Sequence, residues 1–227
     1  MKTGLLAVLS LLVVTTAWAT PPLPADPRAA KAVQDYVRQQ QAEDSRDRDE
    51  RAAAHLDALE NNPGSPVLAN PQGFITIVEF FDYTCPYCKA AEPRLMRLVD
   101  SDKRIKLVTK EFPILTKQSM IASRIALAAA KQGKYRPFHL AMMRREGMWG
   151  EADVMETAKA MGVDVARARR DMYAPDVTEE IIANFNLARA IRAYQTPTYV
   201  VGGHIVTGDS ADINFAKEVA RGKERRP

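Results

Sequence analysis

The chain has 227 residues, 46% of them hydrophobic, and its 32 Lys and Arg against 28 Asp and Glu leave a net charge of +4. That is a globular composition, long enough for one well-buried domain with additions or two small ones, and the interspersed signs give no footprint for nucleic acid. The only two cysteines, Cys85 and Cys88, sit two residues apart, which excludes a disulfide-stapled scaffold.

Lys2 is followed by the apolar run from Leu5 to Val14 and then by Ala17-Trp18-Ala19, the pattern of a secretory signal peptide over residues 1–19, cut before Thr20. About ten apolar residues are roughly half of what a membrane-spanning helix needs. Residues 20–65 read as an N-terminal helical arm. Three prolines come first, then Asp26-Pro27 as N-cap and first helical residue, and Val33, Tyr36 and Val37 share one face of an otherwise polar helix. Such a helix is either a solvated extension or an oligomerisation arm that buries that stripe. Leu56 and Leu59 begin a second short apolar strip before Asn61-Asn62-Pro63-Gly64 closes the arm.

From Phe74 to Phe81 an almost continuously apolar run, rich in branched and aromatic residues, reads as a central strand covered on both faces. Thr84-Cys85-Pro86-Tyr87-Cys88 follows at once, with Pro86 at the first position of a helix that carries Ala91, Leu95, Leu98 and Val99 and that Pro93 is expected to kink. Residues 105–112 read as a second strand, parallel to the first. Helical faces come next: Ile121, Ile125 and Ala129; Phe138 and Met142; Val154, Ala158 and Met161, with stops at Gly133 and Gly162. A longer helix is expected to start at a capping box, Asp176 with Glu179, and to carry Ile181, Phe185, Ala188 and Ile191 to the core. A hairpin turning at Gly202-Gly203 and a last helix capped by Ser210 complete the chain.

A thiol reacts as its thiolate, and the first turn of a helix offers unpaired N–H groups and the positive dipole end. Cys85 is placed for that. Cys88, one turn on, faces the same way and is less accessible, so Cys85 is expected to form the mixed disulfide with a substrate and Cys88 to resolve it, with Pro86 and Tyr87 tuning the thiolate. A CxxC pair also occurs in haem, zinc and Cu(I) sites. Haem attachment wants His after Cys88, where Lys89 stands, and zinc wants further ligands near by, whereas the chain has only His55, His139 and His204. Cu(I) stays open, because soft thiolates select it and the chain has nine methionines, which read mainly as core filling. Glu79 interrupts the apolar strand six residues before Cys85; it is either a strand end that sees solvent or a buried acid, its pKa raised, that exchanges protons with Cys88.

The runs from Val78 to Cys88, from Lys110 to Leu115 and from Thr196 to Gly202 together resemble the DsbA-type branch of the thioredoxin superfamily, and within it the ScsC group, from about Pro66 to Ala220. The resemblance implies an α/β thioredoxin-like fold over residues 66–227, with a helical insertion at about 114–193. It implies an exposed nucleophile Cys85, a resolving Cys88, a buried acid Glu79, and a cis Thr196-Pro197 turn that faces Cys85 and binds extended substrate chains by strand addition. This chain has Gln195 where many relatives have Gly. The implied activity is thiol–disulfide interchange in the periplasm, by a redox-active Cys85–Cys88 disulfide and with no dissociable cofactor. The implied partners are exported proteins with thiols or disulfides and a membrane redox partner, either a DsbB-like oxidase or a DsbD- or ScsB-like reductase. Trimeric relatives join their subunits through the arm. The rival reading is a periplasmic Cu(I)-binding or copper-tolerance protein that uses the same two cysteines.

Overall fold

The computed structural model describes residues 26–207 and 213–223. The expected signal segment 1–19 and the Ser210 cap lie outside them. The chain forms two compact units, one ending at Ala42 and one beginning at Glu43. In the first, the Arg28 amide donates to the Asp26 carboxylate at 2.9 Å and Pro27 opens helix α1 (Pro27–Ala54), as N-cap and first-turn chemistry dictate. Lys31 and Arg38 both pair with Asp35 along it, and Val33, Tyr36 and Val37 stand exposed.

The second unit is built on one five-stranded sheet of β1 (Val67–Ala69), β2 (Ile75–Phe81), β3 (Ile105–Glu111), β4 (Thr198–Val201) and β5 (His204–Val206), in the order β1-β3-β2-β4-β5. All seven residues of β2 are buried, as a central strand requires. It runs parallel to β3, with Ile77 opposite Leu107, and antiparallel to β4, with Glu79 opposite Tyr199. Gly202 and Gly203, at φ +56° and +79°, make the hairpin turn between β4 and β5, a conformation in which both residues need positive φ. β1 pairs antiparallel with β3. It was not foreseen, since three residues are too few to show a period.

The strand period of two divides β2 between two cores. Ile75, Ile77 and Phe81 pack with α3 (Pro86–Ser101), α4 (Lys117–Ala130), α5 (Tyr135–Met143) and α6 (Glu151–Ala160), the cluster that also contains both cysteines. Val78 and Phe80 face the other way, onto Leu187, Ala188 and Ile191 from α8 (Pro175–Ala190) and its end, Leu59 from α2 (Leu56–Glu60) and Ala52. Gly133 and Gly162, both with positive φ, follow α4 and α6 as stops. α7 (Val165–Asp171), too short to have been read from periodicity, and α9 (Phe215–Lys223) complete the fold.

Two helix starts differ from expectation. α8 begins at Pro175, and Ala174 is drawn into the extended N-cap position that precedes a proline, so Asp176 lies inside the first turn, where it pairs with Lys131 at 2.6 Å instead of forming a box with Glu179. α9 starts at Phe215, and Asn214 accepts from the Lys217 amide at 3.0 Å, which places its cap well beyond Ser210. Pro93 lies within α3, which continues through it.

Two polar clasps hold the far face. Lys110, fully buried on β3, donates to Ser65 Oγ at 2.7 Å and to the Ala58 carbonyl at 2.8 Å, and Ser65 donates to Glu180 Oε1 at 2.6 Å. Burial pulls the Lys110 amine down to about 8. Removing the bridged carboxylate leaves the buried ammonium uncompensated, so Glu180→Ala is expected to destabilise the protein by about 3 kcal/mol, seen as a lower urea midpoint with an unchanged slope. At the sheet edge, Asp49 accepts from the Ile205 amide at 2.9 Å and lies 2.6 Å from His204 Nδ1.

Candidate active site

The two thiols sit where the strand hands over to the helix. Asp82, fully buried at the end of β2, accepts from the Thr84 amide (2.7 Å), the Leu115 amide (3.0 Å) and Ser119 Oγ (2.7 Å), and fixes the turn that carries Cys85. Cys85 is the N-cap of α3, and Cys88 donates its amide to Cys85 Sγ at 3.4 Å. Both cysteines are free thiols. Pro86 and Tyr87, between them, are exposed.

The expectation of an exposed Cys85 needs correction. It is 2% exposed, against 0% for Cys88, because the cis Thr196–Pro197 turn lies over it and the Thr196 carbonyl sits 3.3 Å from its sulfur. Cys85 is nonetheless the less deeply desolvated of the two. The Cys88 side chain, the Thr196 hydroxyl and the first-turn amides of Cys88 and Tyr87 together outweigh that partial burial and lower the Cys85 thiol to about 6. The Thr196 carbonyl only accepts, so it favours the protonated thiol and moves the other way. Burial, the Cys85 sulfur and the Glu79 charge push Cys88 far above the ordinary thiol range. The pair is therefore strongly asymmetric: one sulfur is ready to react as a thiolate, and the other holds its proton.

Glu79 is fully buried, which settles the choice between a solvated strand end and a buried acid. The strand period places it on the same face of β2 as Ile77 and Phe81, towards the cysteines. Tyr199, directly opposite on β4, donates its hydroxyl to Glu79 Oε1 at 3.0 Å. Burial, and then the neighbouring Glu92, raise Glu79 well above the usual carboxylate range.

Several site residues were not read from the sequence. Glu92, on α3 four residues after Cys88, is 4% exposed. Its signal was a charge on the apolar stripe of that helix, the same kind of interruption that marked Glu79. Glu111, at the end of β3, is fully buried and raised to about 8 by that burial, although Ser123, Tyr135 and Tyr83 oppose the rise. Tyr135 donates to Glu111 at 2.8 Å, and the Tyr83 hydroxyl lies 3.2 Å from both Glu111 Oε1 and His139 Nδ1. Lys89 donates to the carbonyls of Met142, Met143 and Arg145, fastening α3 to the end of α5. Met96, Met142, Met143, Met155 and Met172 are core residues.

Comparison with known proteins agrees with this geometry. A thioredoxin-like oxidoreductase from Silicibacter pomeroyi is 41% identical, with a TM-score of 0.69 over 74% of this chain and 97% of its own. The catalytic domain of Proteus mirabilis ScsC, 23% identical, shares the fold with a TM-score of 0.68 over 78% of this chain and 97% of its own. A Rickettsia typhi protein provisionally named a protein-disulfide oxidoreductase is 27% identical over 73% of this chain. This chain spans 64% of that relative's length and 66% of a Rickettsia bellii counterpart's. Residues 76–220, which run from β2 and the cysteine pair through the helical insertion to the hairpin and α9, match the DSBA-like thioredoxin domain, and the chain belongs to that family.

Proposed function

We propose that the protein is a thiol–disulfide oxidoreductase that oxidises or isomerises disulfides in exported proteins in the periplasm. The observation that carries this is the asymmetric pair itself: a Cys85 thiol lowered to about 6 beneath the Thr196–Pro197 turn, backed by a Cys88 that keeps its proton. Cys85 attacks or is attacked, Cys88 resolves the mixed disulfide, and Glu79 exchanges the proton that Cys88 must gain or lose. The Thr196–Pro197 turn, with Pro86 and Tyr87 exposed beside it, receives the substrate chain in extended form. No dissociable cofactor enters the scheme, since the Cys85–Cys88 disulfide itself accepts the two electrons and the dithiol returns them.

The leader-like segment at residues 1–19 supports export. Among the described residues no helix is long and apolar enough to cross a membrane. A membrane oxidase or reductase then recharges the pair, and the exposed Val33, Tyr36 and Val37 face offers a surface for self-association. Titrating the pair against glutathione buffers tests the reading, with Cys88→Ser as a trap for mixed disulfides. A stabilised thiolate stabilises the reduced form, so the expected potential lies at roughly −120 to −200 mV. A pair as reducing as roughly −270 mV, or one that barely exchanges, overturns the oxidant and isomerase reading and brings Cu(I) ligation forward.

A further inference from the structure

Beneath the thiols lies a set of buried polar atoms, and of the residues that carry them the scheme above gives a task to Glu79 alone. Glu79 Oε2, both carboxylate oxygens of Glu92 and His139 Nε2 are buried and have no hydrogen-bond partner. Unsatisfied buried groups are rare enough in native proteins that each calls for a reason, a bound water or a chemical role among them. Glu92 follows Cys88 by four residues and so lies on the same face of α3. It is also the charged group that acts most strongly on Glu79. Among the described residues, the one basic side chain that meets either carboxylate at ion-pair distance is His139, whose Nε2 lies 3.5 Å from Glu92 Oε1.

The His139 ring is held in place. It comes from α5 in the helical insertion, is fully buried, stacks on Tyr135 with centroids 5.6 Å apart and meets the Phe81 ring edge-on at 4.8 Å. Its Nδ1 is engaged by the Tyr83 hydroxyl at 3.2 Å, two residues before Cys85, which leaves Nε2 to Glu92. The titratable groups around it are thus Glu92 on α3, Tyr83 in the active-site turn, Tyr135 on its own helix and, through the two tyrosines, Glu111 on β3. A histidine set against a carboxylate, its other nitrogen fixed by a hydrogen bond, is built to pass a proton at a defined atom.

We propose that His139 is a positioning residue for the resolving half of the reaction, exchanging a proton with Glu92 and thereby setting whether Glu79 gives a proton to Cys88 or takes one from it. The proposal deepens the thiol–disulfide reading and rests on it. In the oxidising direction a substrate thiolate attacks Cys85, the Cys85–Cys88 bond breaks, and Cys88 leaves with the electron pair and takes the Glu79 proton. Two adjacent buried carboxylates then both carry charge, which is unfavourable. The His139 proton moves to Glu92 and relieves it. The second substrate thiolate attacks its own mixed-disulfide sulfur and expels Cys85 as a thiolate. Two electrons pass from the substrate into the enzyme disulfide, the two substrate protons go to water, and Cys88 with the cluster holds as many protons after as before. Closing the disulfide reverses each transfer.

The experiment is a two-step reaction of the reduced protein with Ellman's reagent. Attack by Cys85 releases a first nitrothiobenzoate and Cys88 releases a second as it closes the disulfide, so the steps are read separately between about pH 5 and 9. His139→Gln is expected to leave the first release unchanged, to slow the second by about tenfold near neutrality and to displace its pH profile. Glu92→Gln should slow the second step as well, and the double variant should be no slower than Glu92→Gln alone, because the two residues act in series. A folded His139→Gln protein with an unaltered second-step profile, or additive losses in the double variant, overturns the proposal. Wild-type protein carrying isotope-labelled histidine gives a test independent of any variant, since the chain has only three histidines. The His139 imidazole resonances are expected to differ between the oxidised and reduced forms, and identical resonances overturn the proposal. A wild-type protein that never releases the second nitrothiobenzoate overturns the exchange reading itself, and the role of His139 with it.

Discussion

Cys85→Ala is expected to lower the rate of thiol–disulfide exchange by on the order of 1000-fold or more, because it removes the nucleophile and not an accessory group. The same thiol gives the reaction its pH dependence. With Cys85 lowered to about 6, alkylation by a neutral reagent should rise through a midpoint near that pH and level off above it, far below the range of an ordinary thiol. Stability should follow the same ionisation. A group whose pKa is depressed by folding stabilises the native state above its unfolded value and loses that contribution as pH falls through the folded one. The reduced protein should therefore gain on the oxidised one as pH rises from about 6 to about 9, by about 1 kcal/mol at neutrality. Urea unfolding of both forms on either side of pH 6 reads the difference directly, and a gap that does not change with pH would remove the thiolate as the group that stabilises the reduced form.

Glu79 is expected to show the opposite balance between rate and stability. Glu79→Leu should slow the steps in which Cys88 gains or loses a proton by about 100-fold, while alkylation of Cys85 stays close to wild type. It should also make the protein more stable at neutral pH, by about 1–2 kcal/mol, since a desolvated carboxylate disappears and only the Tyr199 hydroxyl loses a partner. A carboxyl raised by folding carries no penalty below its unfolded value and a growing one above it. The gain should accordingly vanish near pH 4, where Glu79 is protonated in both states. A variant that is slower yet no more stable at neutrality would show that Glu79 is held by favourable contacts rather than retained for its chemistry.

The parts of this molecule that showed in its sequence are those where local chemistry and tertiary packing agree. β2 was legible because five of its seven residues are apolar, and one of the two exceptions, Glu79, lies buried on the face towards the cysteines. The helix after Cys85 was legible because Pro86 stands at the first position, where a helix tolerates proline best. The hairpin was legible because two glycines accept positive φ. β1 and α7 escaped because three and seven residues are too few to repeat a strand or helix period more than once. The capping box at Asp176 failed because Pro175, one residue earlier, already sets the helix start. The exposure of Cys85 was misjudged although the Thr196-Pro197 turn was expected to face it, because how closely that turn, 111 residues along the chain, covers the sulfur is set by packing. The same holds for the chain from Glu92 through His139 and Tyr83 to Glu111. Each member read singly is an ordinary polar residue, and only the packing of α5 against α3 and β3 makes them one cluster.

The clasp at Asp49 bears on how the protein survives in the company of its proposed substrates. A sheet edge is a template on which any extended chain can pair, and repeated pairing of that kind begins aggregation. The proposed substrates are chains caught before they have finished folding, so such strands would be met constantly. β5 is only three residues long, and the amide it turns away from β4 is already held by the Asp49 carboxylate. An arriving strand would have to displace a charged acceptor to gain a single backbone bond. The edge is thereby kept from recruiting the unfolded chains proposed as substrates of the thiols.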